Sequence, residues 1–471
     1  MERPQLTSKH INFYALSNGT LTMAFTGTTQ YLMMFCTDYL GISAAAYGTA
    51  MGIAKTFDFF VCIAAGPIIE KSNMKWGKYL SWTRLLTATL FFGNVIQMFN
   101  TSAFIDNPTV KLVIVCIGYM MFHGSMNFNA TVRGALVAKL AGADMNARRQ
   151  LTTRQAQVGA AVSIIASAIT LPAIQLVQNV TGNAALGYTL VTLVFSCVFV
   201  VCNVIFIKLA TPFDPPAPAT AAKKTATIGE MAQAIITNKQ MLILVITYTF
   251  FTIGSQFYAG TTAYYFRVTG NFSFMTVALT SRSICAFLAS LSVPAIGKKI
   301  GKKGALVAAR FGWALGGLFI YFFALKGDGS ANVIAMTVGM CFIQASTYLY
   351  MSFGVNYWLD CGEYGYYTTG KDFRGIAAAV MNWPTKIGMA VGGTLVGYLV
   401  AWSGYVAPVG EKLGYFEHMD RFMITMALIP AVMSAISGVL TLVLYKLTDE
   451  EAAMYAKANA EREAALRNQE A

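Results

Sequence analysis

Charge is what this chain has least of: 12% of its 471 residues are Asp, Glu, Lys or Arg, against 56% hydrophobic. A soluble chain of this length carries about a quarter charged residues, so the composition excludes a water-soluble globule and leaves an all-α polytopic membrane protein. No CxxC pair and no Cys/His cluster occurs among the eight cysteines, and Cys36, Cys62, Cys116, Cys197, Cys202, Cys285 and Cys341 all lie inside apolar runs. They therefore read as small apolar side chains, not metal ligands. Walker A, GxSxG and HExxH patterns are missing in any workable context, and no outer loop is long enough to seat a catalytic acid. The sequence thus offers no evidence for ATP hydrolysis, a membrane-embedded glycosyl or acyl transferase is among the least favoured alternatives, and neither an enzyme nor a cofactor is expected. The opening MERPQLTSKHINFYALSNG lacks a short apolar core before a small-residue cleavage site, so the first membrane helix is expected to do the targeting.

What the chain does have is apolar length. A span needs about 20 mainly apolar residues, and twelve stretches qualify, near 14–40, 43–69, 78–99, 109–139, 150–176, 185–211, 239–267, 272–297, 303–325, 331–360, 373–402 and 421–446. Alternate loops are basic: Lys71, Lys75 and Lys78; Lys139, Arg148 and Arg149; Lys223, Lys224 and Lys239; Lys298, Lys299, Lys302 and Lys303. The loops between them carry at most Lys111 or Lys326. By the positive-inside rule the basic set faces the cytoplasm, so both termini are expected inside a plasma (inner) membrane. The same rule accounts for 34 Lys and Arg against 21 Asp and Glu without a nucleic-acid partner.

The Pro-, Ala- and Thr-rich stretch TPFDPPAPATAAKKTATIGEM divides the spans six and six. The expected organisation is a six-helix bundle over 1–211, a cytoplasmic linker with a short amphipathic helix over 212–238, a second bundle over 239–447 and a cytoplasmic tail over 448–471, read as a solvated helix. A local pattern recurs in both halves, GPIIEKSNMKWGKYLSWTR after span two and VPAIGKKIGKKGALVAAR after span eight. A six-plus-six duplication resembles the major facilitator fold, two six-helix bundles with the solute bound between them at the midplane.

Charges inside spans are the places to look for function, because Lys or Asp at a helix centre costs about 2.5–3.5 kcal/mol unless paired or wetted. In AKTFDFFVC, Lys55, Asp58 and Cys62 share one helix face. The pair reads either as a structural salt bridge or as a carboxylate exposed to a cavity, where it can exchange a proton. Lys386 sits deep in span eleven, after Pro384 and before Gly388, Gly392, Gly393 and Gly397, where the helix can kink and neighbours can approach. Asn382 lies one turn ahead of it. Span four holds His123, Asn127, Asn129 and Arg133 within three turns; these either bind solute hydroxyls or hold helices together. Arg154 opens span five, and Gln344, Tyr348 and Ser352 share a face of span ten suited to a ring-bearing solute. Asp360, Glu363, Lys371, Asp372 and Arg374 cluster at the inner end and read as gate ion pairs.

FCTDYLGIS, AKTFDFFVCIAAGP with KWGKY, GALVAKLAGADMNARRQLTTRQ and LDCGEYGYYTTGKDFRGI together resemble the melibiose-permease-like glycoside-pentoside-hexuronide cation symporters of the major facilitator superfamily, over nearly the whole chain. The resemblance implies that Asp58 is the first carboxylate of the cation site, with Lys55 and Lys386 beside it, and that Arg154 contributes to solute binding. It also marks departures. The second cation-site acid falls on Cys62 and the Asn before it on Val61, while the span-one aspartate falls on Thr22. The acid of span four falls near Ala130, and Val132 and Arg133 replace a proline and an aromatic. Sodium wants several hard oxygen ligands, which Cys62 and Val61 do not supply, so a proton is the expected coupling ion. Asp58, Lys55 and Lys386 are expected to form one charged cluster between the halves. The expected function is secondary active import of a glycoside or related hydroxylated, acidic-tolerant solute by a monomer in the lipid bilayer. The alternatives are a sodium-coupled or uncoupled carrier of a sugar or lysolipid-like solute, and a non-transporting sensor.

Overall fold

A computed structural model of the chain describes residues 5–72, 74, 76–142, 144–215, 227–327, 329–372, 374, 377, 380–409 and 412–470. The middle of the expected linker, 216–226 with Lys223 and Lys224, lies outside the described residues, as do Lys75 and Phe373. The described chain is almost wholly helical: α1 Ser8–Thr29, α2 Ala44–Lys71, α3 Lys78–Gln97, α4 Pro108–Ala141, α5 Met145–Thr181, α6 Ala184–Ala210, α7 Ile228–Thr237, α8 Lys239–Val268, α9 Phe274–Phe323, α10 Val333–Met351, α11 Gly354–Thr369, α12 Trp383–Trp402, α13 Met419–Met423, α14 Ile429–Leu444 and α15 Asp449–Glu470. Side-chain caps explain several starts, because the first N–H groups of a helix have no partner within it. Asn107 accepts from Thr109 N–H at 2.9 Å ahead of α4, and Asp144 from Asn146 N–H at 2.8 Å ahead of α5. Thr227 and Glu230 cap each other's backbone at the start of α7.

Nine helical stretches among the described residues are long and apolar enough to cross a membrane. The expected spans at 14–40, 78–99 and 373–402 fall on α1, α3 and α12, where polar and small residues dilute the hydropathy. The α9 helix is broken at Gly301, whose φ of 68° and ψ of 174° are not helical, so the boundary expected between spans eight and nine falls at this break.

The chain divides into two compact units, unit 1 being Met1–Lys224, Thr262–Ser283 and Gly397–Glu417, and unit 2 Thr225–Thr261, Ile284–Val396 and His418–Ala471. In unit 1, Leu80, Leu86, Leu90, Phe122, Leu136 and Phe206 are fully buried in one core. The α3 and α4 helices meet at Gly93, where a Cβ would stand 2.6 Å from the Phe122 backbone nitrogen. In unit 2 the core joins Met241, Leu306, Tyr357, Trp358 and Tyr445.

The recurring sequence pattern is a recurring turn. In unit 1, Gly77 (φ 86°) leads into α3, and the Asp214 carboxylate, just past α6, accepts from Tyr79 and Leu80 N–H at 2.7 and 2.9 Å. In unit 2, Gly301 (φ 68°) leads into the second part of α9, and the Asp449 carboxylate, just past α14, accepts from Lys302 N–H at 3.2 Å. Each turn needs a left-handed residue that only glycine adopts cheaply, and each is capped by an acid that arrives from just past a long helix of its own unit, α6 or α14.

Two further features were not expected. A π-helical turn, Phe35–Tyr39, carries Asp38, whose fully buried side chain accepts from Thr37 Oγ1 at 2.9 Å and Tyr405 OH at 2.5 Å and lies 3.6 Å from Arg267 Nε, all in unit 1. Tyr405 belongs to a short hairpin, β1 Tyr405–Val406 and β2 Tyr415–Phe416. The tail, in turn, does not lie free in solvent. Asn459 of α15 is 1% exposed and donates to Glu363 O and Oε2 at 2.9 and 2.7 Å. Tyr455 packs its ring against Tyr364 and Tyr367 of α11. The apolar body of Tyr455 and the amide of Asn459 give this polar helix a docking stripe that its overall composition hides.

Candidate functional site

Asp58 lies on α2 and is 2% exposed. Its Oδ1 accepts from Asn127 Nδ2, on α4, at 2.5 Å. Lys55 and Cys62 are half-buried on the same face, one turn to either side. His123, a turn before Asn127, is stacked on Tyr119 at 3.9 Å between ring centres. Asn127, read from sequence as a solute ligand, is thus brought to the carboxylate.

Unit 1 also holds a cavity of about 710 Å³ lined by Thr22, Asn129 and Arg133, together with Tyr14 and Gln155. Thr22 donates to Asn18 O at 3.1 Å and so turns its lone pairs outward. Each guanidinium nitrogen of Arg133 has a protein partner: Nε reaches Asn129 Oδ1 at 3.4 Å, Nη1 Ser17 Oγ at 2.9 Å and Nη2 Asn203 Oδ1 at 2.6 Å, with Phe206 beneath the guanidinium at 4.9 Å. Arg154 is exposed in a neighbouring open groove of about 720 Å³ and donates to Asn12 Oδ1 at 3.1 Å and Gln157 Oε1 at 3.3 Å.

The remaining residues belong to unit 2. Lys386 is half-buried on α12, and its N–H donates to the carbonyl of Asn382, which is exposed, at 3.0 Å. Gln344 and Tyr348 are half-buried on α10. The residues expected to form gate ion pairs do meet, in part through the tail. Lys302 pairs with Asp360 and, at 3.5 Å, with Asp449. Arg374 reaches Asp372 at 2.8 Å, Glu363 at 3.7 Å and Glu463. Its forked hydrogen bonds hold the Asp372 carboxyl below the usual carboxylate range, and Asp372 in turn raises the guanidinium. Lys371 is exposed beside them.

Sequence reasoning passed over Asp38, Arg267 and Arg310. Asp38 and Arg267 sit near the end of an apolar run, where a charge reads as an interface residue, yet the Asp38 side chain is buried, as is Arg310. The signal was available for Arg310, since it stands seven residues inside span nine with apolar neighbours on both sides.

Similarity to known proteins agrees with this architecture. The chain is 24% identical over 446 residues to an isoprimeverose transporter of Lactiplantibacillus pentosus, covering 94% of this chain and 89% of that one. It is 24% identical over 455 residues to a glucuronide carrier protein homolog of Escherichia coli K12, covering 95% and 94%. The fold matches the crystal structure of a D-xylose-proton symporter with a TM-score of 0.63 over 94% of this chain and 99% of that one, at 14% identity. Residues 13–449 match the family described as MFS/sugar transport protein. The chain is therefore a transporter, not an enzyme, and belongs to the sugar-transport family of the major facilitator superfamily, in its glycoside-pentoside-hexuronide-like branch.

Proposed function

We propose that the protein is a proton-coupled importer of a glycoside or related hydroxylated solute, acidic ones included, working by alternating access with Asp58 as the proton carrier. The observation that carries this reading is the buried Asp58 carboxylate on Asn127 Nδ2, with Cys62 where a second hard acid would be needed for sodium. A thiol is a poor ligand for a hard cation, whereas one hydrogen-bonded acid suffices for a proton. Thr22, Asn129, Arg133 and Arg154 in unit 1, and Gln344, Tyr348, Asn382 and Lys386 in unit 2, are the proposed solute-facing set. Lys55 tunes Asp58 from one turn away. Asp360, Glu363, Lys371, Asp372 and Arg374 form the inner gate. Twelve membrane crossings, with both termini inside the cell and a monomer as the working unit, complete the proposal. The related isoprimeverose transporter and glucuronide carrier homolog support the solute class by name.

The test is uptake of candidate glycosides and uronides in energised vesicles, with a proton gradient or with sodium alone. Asp58→Asn is expected to abolish gradient-driven accumulation while keeping solute exchange. Unchanged accumulation in that variant, or uptake driven by sodium only, overturns the assignment.

A further inference from the structure

Unit 2 contains a cavity of about 220 Å³ whose floor is Arg310. The residue is 2% exposed, and its guanidinium is wrapped by the rings of Phe251, Tyr350 and Tyr248 at 3.7, 4.7 and 5.1 Å. Its Nε is buried without a hydrogen-bond partner. Among the described residues no carboxylate pairs with Arg310, and no Asp or Glu lines the cavity. The contrast with Arg133 is direct, since there all three guanidinium nitrogens donate to protein oxygens. Aromatic faces offset part of the cost of a desolvated cation, but they accept no N–H in the guanidinium plane, where a carboxylate or sulfonate would bind as a fork.

The rest of the wall selects for what surrounds such an anion. Ser255, Ser346 and Thr347 spend their hydroxyl protons on the carbonyls of Thr252, Phe342 and Ile343, at 2.8 to 2.9 Å. Their lone pairs are left to accept from a ligand's hydroxyl groups. Trp313, also in the wall, adds an apolar aromatic surface suited to the C–H groups of a sugar. Donors concentrated at one cation and acceptors around it describe a polyhydroxylated molecule with one oxyanion.

We propose that this cavity is an oxyanion subsite, in which Arg310 binds the carboxylate or sulfonate of a hydroxylated acid. The proposal deepens the reading of an acid-accepting solute carrier and rests on it for the ligand's body, but it does not depend on Asp58 or on proton coupling. The test is therefore direct binding without a gradient, by thermal unfolding and tryptophan fluorescence of the purified full-length protein. The probes are glucuronate and methanesulfonate, with glucose and chloride at matched ionic strength as references. Saturable stabilisation by an oxyanion over its reference is expected, weakened roughly tenfold to a hundredfold in Arg310→Gln and retained in Asp58→Asn. Ser255→Phe, which fills the cavity and leaves the cation in place, is expected to abolish binding and so covers the case in which Arg310→Gln does not fold. The proposal is overturned if neither anion exceeds its reference, or if binding survives unchanged in Arg310→Gln or Ser255→Phe. Loss of coupling with binding intact in Asp58→Asn keeps the two readings apart.

Discussion

At the scale of single residues, contact with Asp58 gives Asn127 a measurable energetic signature. Asn127→Ala leaves the buried Oδ1 acceptor without its 2.5 Å donor, a loss of about 1–3 kcal/mol that thermal unfolding of purified protein should register. A double-mutant cycle with Asp58→Asn should return a coupling of about 0.5–3 kcal/mol, and strictly additive losses would refute the contact. Arg133 makes a second case. Its three donors serve Asn129, Ser17 and Asn203, so Arg133→Met should destabilise by about 3 kcal/mol or more. Arg133→Lys should rescue only part of that, because one ammonium cannot reproduce the planar fork.

Between elements, the tightest approaches are made by glycine. A Cβ on Gly388 would stand 2.6 Å from Thr252 Cβ, and one on Gly392 would stand 2.8 Å from Ile253 O, so α12 rides directly on α8. Gly392→Leu should cost at least the 1–3 kcal/mol typical of overpacking, about the lower bound where backbone is struck. Gly159→Ala, which meets open space, should leave yield and melting temperature unchanged, and equal losses at both sites would contradict the packing. Gly388 and Gly392 were readable from spacing as close-approach residues, and so were most helices, because hydropathy over a span length sums many small preferences. Asp58 and Lys386 stood out because they are charges in mid-span. Asp38 did not, since burial at the end of an apolar run depends on which distant hydroxyls fold over it, whereas Arg310, inside span nine, carried a signal that was passed over. The docked α15 was hidden for the same reason: its polarity is real, and its docking rests on a few residues such as Asp449, Tyr455, Asn459 and Glu463.

For the molecule as a whole, the ion pairs of Lys302 and Arg374 and the tail act as a unit. Partly exposed pairs contribute about 0.2–1 kcal/mol each, so Arg374→Gln alone should be mild, while deleting 449–471 removes the Asp449 cap, the Asn459 bonds and Glu463 together and should lower the melting temperature further. Because Arg374 depresses the Asp372 carboxyl, the Asp372 contribution is fully present above the ordinary aspartate range and fades only as pH falls through its lowered value. Uptake profiles of Asp372→Asn and the unaltered protein should therefore run parallel between about pH 5 and 8, and a shifted midpoint there would place a titrating group in this ion-pair cluster.

The acid at Asp38 has a bearing on how the protein is made. Its phenolic partner, Tyr405, lies 367 residues further along the chain, and at about 5–20 residues per second the ribosome needs roughly 20–70 s to deliver it. Through that interval the first-made helices carry a carboxylate whose final shelter does not yet exist, so they must wait in a looser, wetted arrangement or be shielded by the insertion machinery. Birth order thus runs against assembly order, and a nascent chain stalled before Tyr405 would hold its early helices with an acid still seeking cover.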